Sequence, residues 1–298
     1  MSRGQEREPG GIRENGTMTR IAFLDVDGTI LEHGDAIAPS TVTAIRTARA
    51  NGHLVYLCTG RAAGDIHPKV REIGFDGAIT NGGAFATRGD EVLFAEPMPR
   101  EETDRLISYF DAEDIDYFLQ TNDAVYASPG VGAMVDEFFA RRRARMEEDA
   151  RRLGTPMPDV ASIISYRPMA EADLDQVAKT TFISKRSDTL DRAQVDLGER
   201  FHVIPGSIPL PGGSNGEIGL RGTNKGSAIV RVLEILGRDA ADAIGIGDSW
   251  NDAEMFDVVG SPVAMGNADP ALKERAGNVT TDVLDDGVWN AFVKLGLV

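Results

Sequence analysis

The chain has 298 residues, of which 42% are hydrophobic and 26% charged, a balance typical of a soluble globular protein with about two domains. Its formal net charge of −16 repels nucleic acid and anionic lipid, so a site for a small anion needs its own local positive charge. No apolar run reaches the ~18 residues that a membrane span needs. The single cysteine, Cys58, excludes an intramolecular disulfide and fits a reducing cytoplasm.

The first 18 residues are polar, and the pattern of a parallel sheet begins after them. Residues 1–18 are Gly-rich and contain no apolar run, which predicts a disordered leader, or sequence upstream of a start at Met18. Beyond them, short apolar runs alternate with helical patterns, which favours a doubly wound α/β core with a parallel sheet. Strands are predicted at 20–24, 53–58, 77–80, 243–246, 262–264 and 278–280, with helices at 40–51 and 226–236.

The middle of the chain has a different pattern between turn-rich edges, which predicts a separate α/β domain inserted into the core. It contains an arm at "EVLF", a helix from Glu101, strands at 116–119 and 124–127, a long helix from Gly132, and strands in "TFISKR" and "FHVIP". We therefore expect a leader at 1–18, a core domain formed by 19–86 and 215–298, and an inserted domain at 87–214.

Four polar motifs end strands or begin a helix of the predicted core. They are "DVDGT" at 25–29, "CTGRA" at 58–62, "NKGSA" at 224–228 and "GIGDSWNDAEMF" at 245–256. Ligand sites in open α/β sheets form beyond the carboxyl ends of the strands. The motifs therefore predict one site that gathers Asp25, Asp27, Thr59, Lys225, Asp248, Asn251 and Asp252.

These residue types suit a phosphate ester. Clustered carboxylates are tolerable around a divalent cation, and Mg²⁺ prefers oxygen ligands in an octahedral shell. Lys225 would supply fixed positive charge, while Thr59 and the turn at Gly60 would supply hydroxyl and backbone N–H donors. A metal-bound carboxylate can attack phosphorus to give an aspartyl-phosphate. The pattern predicts Mg²⁺-dependent phosphoryl transfer.

In this order the four motifs resemble those of the haloacid dehalogenase (HAD) superfamily of phosphatases, and the insert resembles the type IIB cap of its Cof-like subfamily. The resemblance covers about residues 19–298 and implies a Rossmann-like core with an inserted α/β cap domain. It implies that Asp25 is the nucleophile and that Asp27 is the general acid and base.

The resemblance also implies the binding groups. Phosphate and substrate would contact Val26, Thr59, Gly60, Lys225 and Asn251, with Asn81 of "TNGG" near the substrate. Mg²⁺ would be bound by Asp25, the backbone carbonyl of Asp27 and Asp248, with Asp252 in support. Arg61 stays open between a helix-start salt bridge and a contact to the substrate anion.

Three functions remain for these motifs. The favoured one is a cytoplasmic phosphomonoesterase for a small phosphorylated metabolite, such as a sugar phosphate. A phosphomutase or other phosphotransferase would use the same chemistry. A non-enzymatic phospho-accepting receiver would explain neither an acid and base at Asp27 nor the insert. An EF-hand is disfavoured because Ala36 stands where its loop needs a Glu. The insert is expected to supply leaving-group contacts, with Arg167 as a candidate, while substrate and oligomeric state do not follow from the sequence.

Overall fold

The computed structural model describes residues 19–32, 35–132, 151, 166–206 and 213–298. The predicted leader and nearly all of the helix predicted from Gly132 lie outside the described residues. The chain divides into two compact units. The core unit contains the described residues of Met1–Arg61, Ile66–Ala95 and Thr223–Val298, and the insert unit contains those of Ala62–Asp65 and Glu96–Gly222.

The strands are, in chain order, β1 (Ile21–Leu24), β2 (Leu54–Cys58), β3 (Gly77–Thr80), β4 (Phe85–Arg88), β5 (Glu91–Ala95), β6 (Asp116–Gln120), β7 (Val125–Ala127), β8 (Arg167–Pro168), β9 (Lys179–Ser184), β10 (Phe201–Pro205), β11 (Ser214–Leu220), β12 (Ala243–Gly247) and β13 (Ser261–Ala264). The α-helices are α1 (Pro39–Ala50), α2 (Pro68–Arg71), α3 (Arg100–Glu113), α4 (Thr189–Leu197), α5 (Lys225–Leu236), α6 (Ala253–Val258), α7 (Pro270–Ala276) and α8 (Gly287–Leu295). In the part of the chain that the structure describes, none of these helices has the length and apolar character that crossing a bilayer requires.

The core unit is built on a seven-stranded sheet in the order β13-β12-β1-β2-β3-β4-β5. Its first five strands are parallel, and β4 and β5 add an antiparallel hairpin. All four residues of β1 are buried, with Ala22 and Leu24 in the layer of α1 and α8, and Ile21 and Phe23 in the layer of α5 and α6. Because strand side chains alternate between the two faces, this central strand is apolar throughout, as its position between two helical layers requires. The predicted doubly wound parallel-sheet core is confirmed.

The insert unit has its own six-stranded sheet, in the order β10-β11-β9-β6-β7-β8. Most of its strand pairs are antiparallel, while β7 and β8 run parallel. One hydrophobic cluster joins Leu106 and Phe110 of α3 to Phe182 of β9 and Ile218 of β11. This unit therefore has a core of its own, separate from the two layers around the seven-stranded sheet.

Two predicted boundaries differ from those of the compact units. The "EVLF" arm, predicted in the insert, belongs to β5 and pairs with β4 at the edge of the core sheet. Residues 215–220, predicted in the core, belong to β11 and pair with β9 and β10 of the insert sheet. An alternating pattern predicts a strand but does not say which sheet supplies its partners. The strand predicted at 278–280 makes only an isolated bridge from Val279 to Ala264.

Candidate active site

Three aspartates lie together beyond the carboxyl ends of β1 and β12. The backbone N–H of Asp25 donates to Ile246 O at 2.9 Å, which continues the pairing of the two strands into the loops that follow them. One carboxylate oxygen from each of Asp25, Asp248 and Asp252 lies within 4.8 Å of the others. The parallel sheet thus brings the first and fourth motifs together.

Lys225 is the cation of this cluster. Its Nζ donates to Asp25 Oδ1 at 2.6 Å, to Asp252 Oδ1 at 2.6 Å and to Asn251 Oδ1 at 3.1 Å. Only 2% of Lys225 is exposed. Burial lowers the pKa of Lys225, but the two carboxylates outweigh burial and leave its pKa above the ordinary value. Lys225 is therefore a fixed positive charge.

The start of α5 explains why Lys225 is held in place. Asn224 caps the helix by accepting the Ser227 N–H at 2.8 Å, and Ser227 Oγ accepts the Asn224 N–H in return at 3.1 Å. This capping box fixes the first turn, in which Lys225 is the first helical residue. The backbone at Gly226 packs so closely on α6 that an added Cβ would lie 2.3 Å from Glu254 O.

Asp252 connects Lys225 to the backbone of the fourth motif. Its Oδ1 accepts from Lys225, while its Oδ2 accepts the backbone N–H groups of Asp248 at 3.0 Å and Ser249 at 3.1 Å. The side chain is fully buried. Both oxygens thus have partners within the protein, so Asp252 orients the other site residues.

The donor set fits a hard divalent cation. Asp248 Oδ1 is buried and has no hydrogen-bond partner among the residues that the structure describes. Burial and the neighbouring Asp252 raise the pKa of Asp248 to about 7. Burial also raises the pKa of Asp25, against the lowering effect of Lys225 and with a further rise from Asp252. Three carboxylates face one ammonium group, and a bound Mg²⁺ would balance the excess negative charge with oxygen ligands.

Gly28 lies against the carboxylate of Asp248. Its φ is +80°, and an added Cβ would lie 2.1 Å from Asp248 Oδ2. The residue thus needs glycine both for its backbone conformation and for the space that the carboxylate fills.

We expect Gly28→Ala to lower the free energy of unfolding by about 2 kcal/mol or more. It should also weaken divalent-cation binding, because the methyl group displaces the carboxylate of Asp248. Gly222→Ala is the matched control, since its φ is +92° and no atom lies within 4 Å of the added Cβ. The control should lose about 1 kcal/mol through backbone strain alone. Urea unfolding in chelator and Mn²⁺ titration measure the two effects, and equal losses in both variants would contradict the role assigned to Gly28.

In the second motif, the guanidinium group of Arg61 binds the carboxylate of Asp27. The Arg61 Nε and Nη2 atoms each donate to one carboxylate oxygen of Asp27, both at 2.7 Å. Thr59 is buried, and its Oγ1 accepts the Arg61 N–H at 3.1 Å. Arg61 thus forms a salt bridge with Asp27 of the loop after β1, and its contact to a substrate anion stays a prediction.

The remaining predicted residues lie around these motifs. Val26 is buried, and its carbonyl closes the turn after β1 by accepting the N–H groups of Ile30 and Leu31. Asn81 is buried after β3 with φ +53°, and its N–H donates to Arg61 O at 2.8 Å. Gly60 lies in the turn between Thr59 and Arg61 and is half-buried.

The side-chain amide of Asn251 has a defined orientation. Its Oδ1 accepts from Lys225 Nζ at 3.1 Å and from Ser249 Oγ at 2.9 Å. Since the oxygen serves two donors, the amide nitrogen is the group that remains to donate to an anion. This orientation is compatible with the predicted phosphate contact.

The sequence analysis missed Asn267. Its Nδ2 donates to Gly28 O at 2.9 Å and to Asp248 Oδ2 at 3.3 Å, so it contacts both loops that carry the aspartates. The available signal was its place three residues after β13, where a polar residue follows an apolar strand at the same edge of the sheet.

Comparison with known proteins assigns the family. Residues 22–292 match the family described as haloacid dehalogenase-like hydrolase, so the chain belongs to that family. A Bacillus subtilis protein named as a phosphatase, YkrA, is 28% identical over 94% of this chain and 99% of its own length. The pyridoxal phosphate phosphatase YbhA of Escherichia coli is 27% identical over 91% of this chain and 96% of its own length.

Solved structures agree on the fold. A HAD subclass IIB sugar phosphatase superposes with a TM-score of 0.72 at 22% identity, covering 94% of this chain and all of its own. The predicted Cof-like HAD family and the core with an inserted cap domain are confirmed. The family and its named relatives make the chain a phosphatase.

Proposed function

We propose that the chain is a Mg²⁺-dependent phosphomonoesterase that hydrolyses a small phosphorylated metabolite through an aspartyl-phosphate on Asp25. The observation that supports this most is the buried Asp25–Lys225–Asp252 arrangement beside Asp248 Oδ1, which has no hydrogen-bond partner in the described part of the chain. It supports the proposal because a carboxylate that could attack phosphorus, a fixed cation and oxygens suited to a divalent ion lie at one edge of the sheet. We assign the reaction to the cytoplasm, in line with the free, buried Cys58.

The residues divide the first half-reaction between them. One carboxylate oxygen of Asp25 attacks phosphorus while the bond from phosphorus to the leaving oxygen breaks, and Asp27 gives its proton to that oxygen. Lys225 stabilises the charge on the transferring group. Mg²⁺, held by Asp25, Asp248 and the backbone carbonyl of Asp27, would supply further positive charge when bound. Asp252 accepts hydrogen bonds from Lys225 and from the backbone of Asp248, and so fixes their relative positions.

In the second half-reaction Asp27 takes a proton from a water molecule. That water attacks phosphorus, the bond between phosphorus and Asp25 breaks, and inorganic phosphate leaves. Both carboxylate oxygens of Asp27 accept hydrogen bonds from Arg61 in this structure. This salt bridge must break before Asp27 can transfer protons. A substrate anion offers Arg61 another partner and would release Asp27.

We expect Asp27→Asn to slow hydrolysis of an alkyl phosphate by about 10²-fold or more, because the leaving alkoxide then receives no proton. Hydrolysis of p-nitrophenyl phosphate should slow less in its first step, since nitrophenolate leaves without a proton. Pre-steady-state rates for the two esters measure the difference. An equal, small effect on both rates would contradict the assignment of Asp27.

A panel of phosphorylated metabolites tests the proposed function, with released phosphate measured in Mg²⁺, in excess chelator and in Ca²⁺. Release should require Mg²⁺, and Ca²⁺ should inhibit because its larger, looser ligand shell misaligns nucleophile and phosphorus. Undiminished release in chelator would exclude the metal site. Transfer of phosphate to a second sugar without release to water would favour the mutase instead.

The relatives differ in the substrates that their names give, since one is named for pyridoxal phosphate and a solved structure for sugar phosphates. We therefore limit the proposed substrate to a small phosphate monoester. The predicted leaving-group role of the insert, and of Arg167 in particular, stays a prediction; Arg167 is exposed at the start of β8.

A further inference from the structure

Asn267 joins two loops of the site through one side-chain amide. Its Nδ2 is 2.9 Å from Gly28 O in the loop after β1 and 3.3 Å from Asp248 Oδ2 in the loop after β12. The carbonyl of Gly28 can only accept a hydrogen bond, so the NH₂ group, not the amide oxygen, must face it. The orientation of the amide follows from its partners.

The fold places Asn267 where it can make these contacts. Strand β13 pairs in parallel with β12, and the backbone N–H of Met265 donates to Gly247 O at 2.9 Å. The Ala268 N–H then donates to Met265 O at 3.1 Å and closes a tight turn. Asn267 lies within this turn, between Met265 and Ala268.

These contacts distinguish the two oxygens of Asp248. Oδ2 accepts from Asn267 and packs against the backbone of Gly28, while Oδ1 is buried without a hydrogen-bond partner among the described residues. The backbone N–H of Asp248 is held separately by Asp252 at 3.0 Å. Asp252 thus holds the backbone of Asp248, Asn267 holds its carboxylate at Oδ2, and Oδ1 is the oxygen left for a cation.

We propose that Asn267 is a positioning residue for the metal-binding carboxylate of Asp248. The inference rests on the proposed function, because it assumes that Asp248 binds the divalent ion. Groups that orient a metal ligand contribute about 10- to 100-fold to metal affinity. Asn267 is exposed and its bond to Asp248 is long, so its effect should lie near tenfold.

Mn²⁺ binding to the full chain, measured by titration calorimetry, tests this role. Asn267→Leu keeps the approximate shape of the side chain and removes the donor, and Asn267→Ala removes both. Asn290→Leu is the matched control, because Asn290 donates to Thr281 Oγ1 at 2.9 Å and belongs to no part of the site. Both variants at position 267 should bind Mn²⁺ about tenfold more weakly, and the control should bind like the wild type.

Two further measurements distinguish the positioning role of Asn267 from a merely structural role. The unfolding temperature in chelator should fall only slightly for Asn267→Leu, as for Asn290→Leu, since each variant loses exposed amide hydrogen bonds. The Mg²⁺ concentration for half-maximal activity should rise about tenfold, while kcat at saturating Mg²⁺ stays near the wild-type value. If the wild type binds Mn²⁺ and the two variants at position 267 bind it with the same affinity, the role of Asn267 is overturned. A wild type that does not bind Mn²⁺ would overturn the proposed metal site and this inference with it.

Discussion

Asp25→Asn should reduce turnover by about 10⁴-fold or more, because the amide keeps the shape of the side chain and removes the attacking charge. The protein should stay folded. Burial and the neighbouring carboxylates raise the pKa of Asp25, so the folded state disfavours its charged form. Neutralising this position should therefore leave the unfolding temperature in chelator equal to or above that of the wild type, with Lys225 still bonded to Asp252 at 2.6 Å.

Phosphate release under saturating Mg²⁺ measures the loss, and mass spectrometry of the variant excludes deamidation of the new Asn back to Asp. Beryllofluoride, which mimics a phosphoryl group on a carboxylate, should bind the wild type and not the variant. Turnover within about a hundredfold of the wild type, with the amide intact, would remove Asp25 from the role of nucleophile.

Lys225→Met should cost about 3–5 kcal/mol of unfolding free energy in chelator, because the buried carboxylates of Asp25 and Asp252 lose their shared counter-charge. It should also slow all substrates by a similar factor of about 10²–10³, since it removes a cation from the transferring group that they share. Urea unfolding and kcat/KM for several phosphate esters measure the two effects.

Lys69→Met is the matched control, because Lys69 pairs with Asp35 at 3.1 Å on the surface, where the two side chains are 56% and 71% exposed. An exposed pair contributes about 1 kcal/mol or less. The double variant Lys225→Met/Asp252→Asn should recover part of the stability, since one unpaired carboxylate is then neutral. A loss no larger for Lys225→Met than for Lys69→Met would contradict the electrostatic account of the cluster.

The elements of the core were predictable because their patterns are local. Strand β3 was predicted at its observed bounds, and β2 and β12 within one residue. The meeting of Asp25 and Asp248 was predictable for a topological reason: parallel strands bring their carboxyl ends to one edge of the sheet, however far apart they lie along the chain. Lys225 joins them from the first turn of α5.

The hydrogen-bond partners of individual side chains in the site were not predictable from the sequence. The sequence left Arg61 between a salt bridge and a substrate contact, and its bidentate bond to Asp27 depends on where two loops lie in space. The contact of Asn267 with Asp248 has the same origin, because it spans 19 residues and follows from the pairing of two strands. The "EVLF" arm was predicted in the insert although it pairs with β4 at the edge of the core sheet, since strand patterns do not identify the sheet.

The two tryptophans have different environments. Trp289 packs against the core layer that contains α1 and α8, but Trp250 is 54% exposed within the fourth motif. An aromatic residue is usually buried for its large apolar area. In the fourth motif, however, the buried positions around it are taken by Asp252 and Ala253, which composition alone does not reveal.

The stereochemical course at phosphorus tests the central claim most directly, namely that the phosphoryl group passes through a covalent intermediate on Asp25. Each in-line displacement inverts the configuration at phosphorus, so a two-step reaction through the protein restores it. Hydrolysis of a phosphorothioate ester chiral by ¹⁶O and ¹⁷O, carried out in ¹⁸O-labelled water with Mg²⁺, should give inorganic thiophosphate with net retention. Net inversion would show a single direct attack by water and would contradict the account.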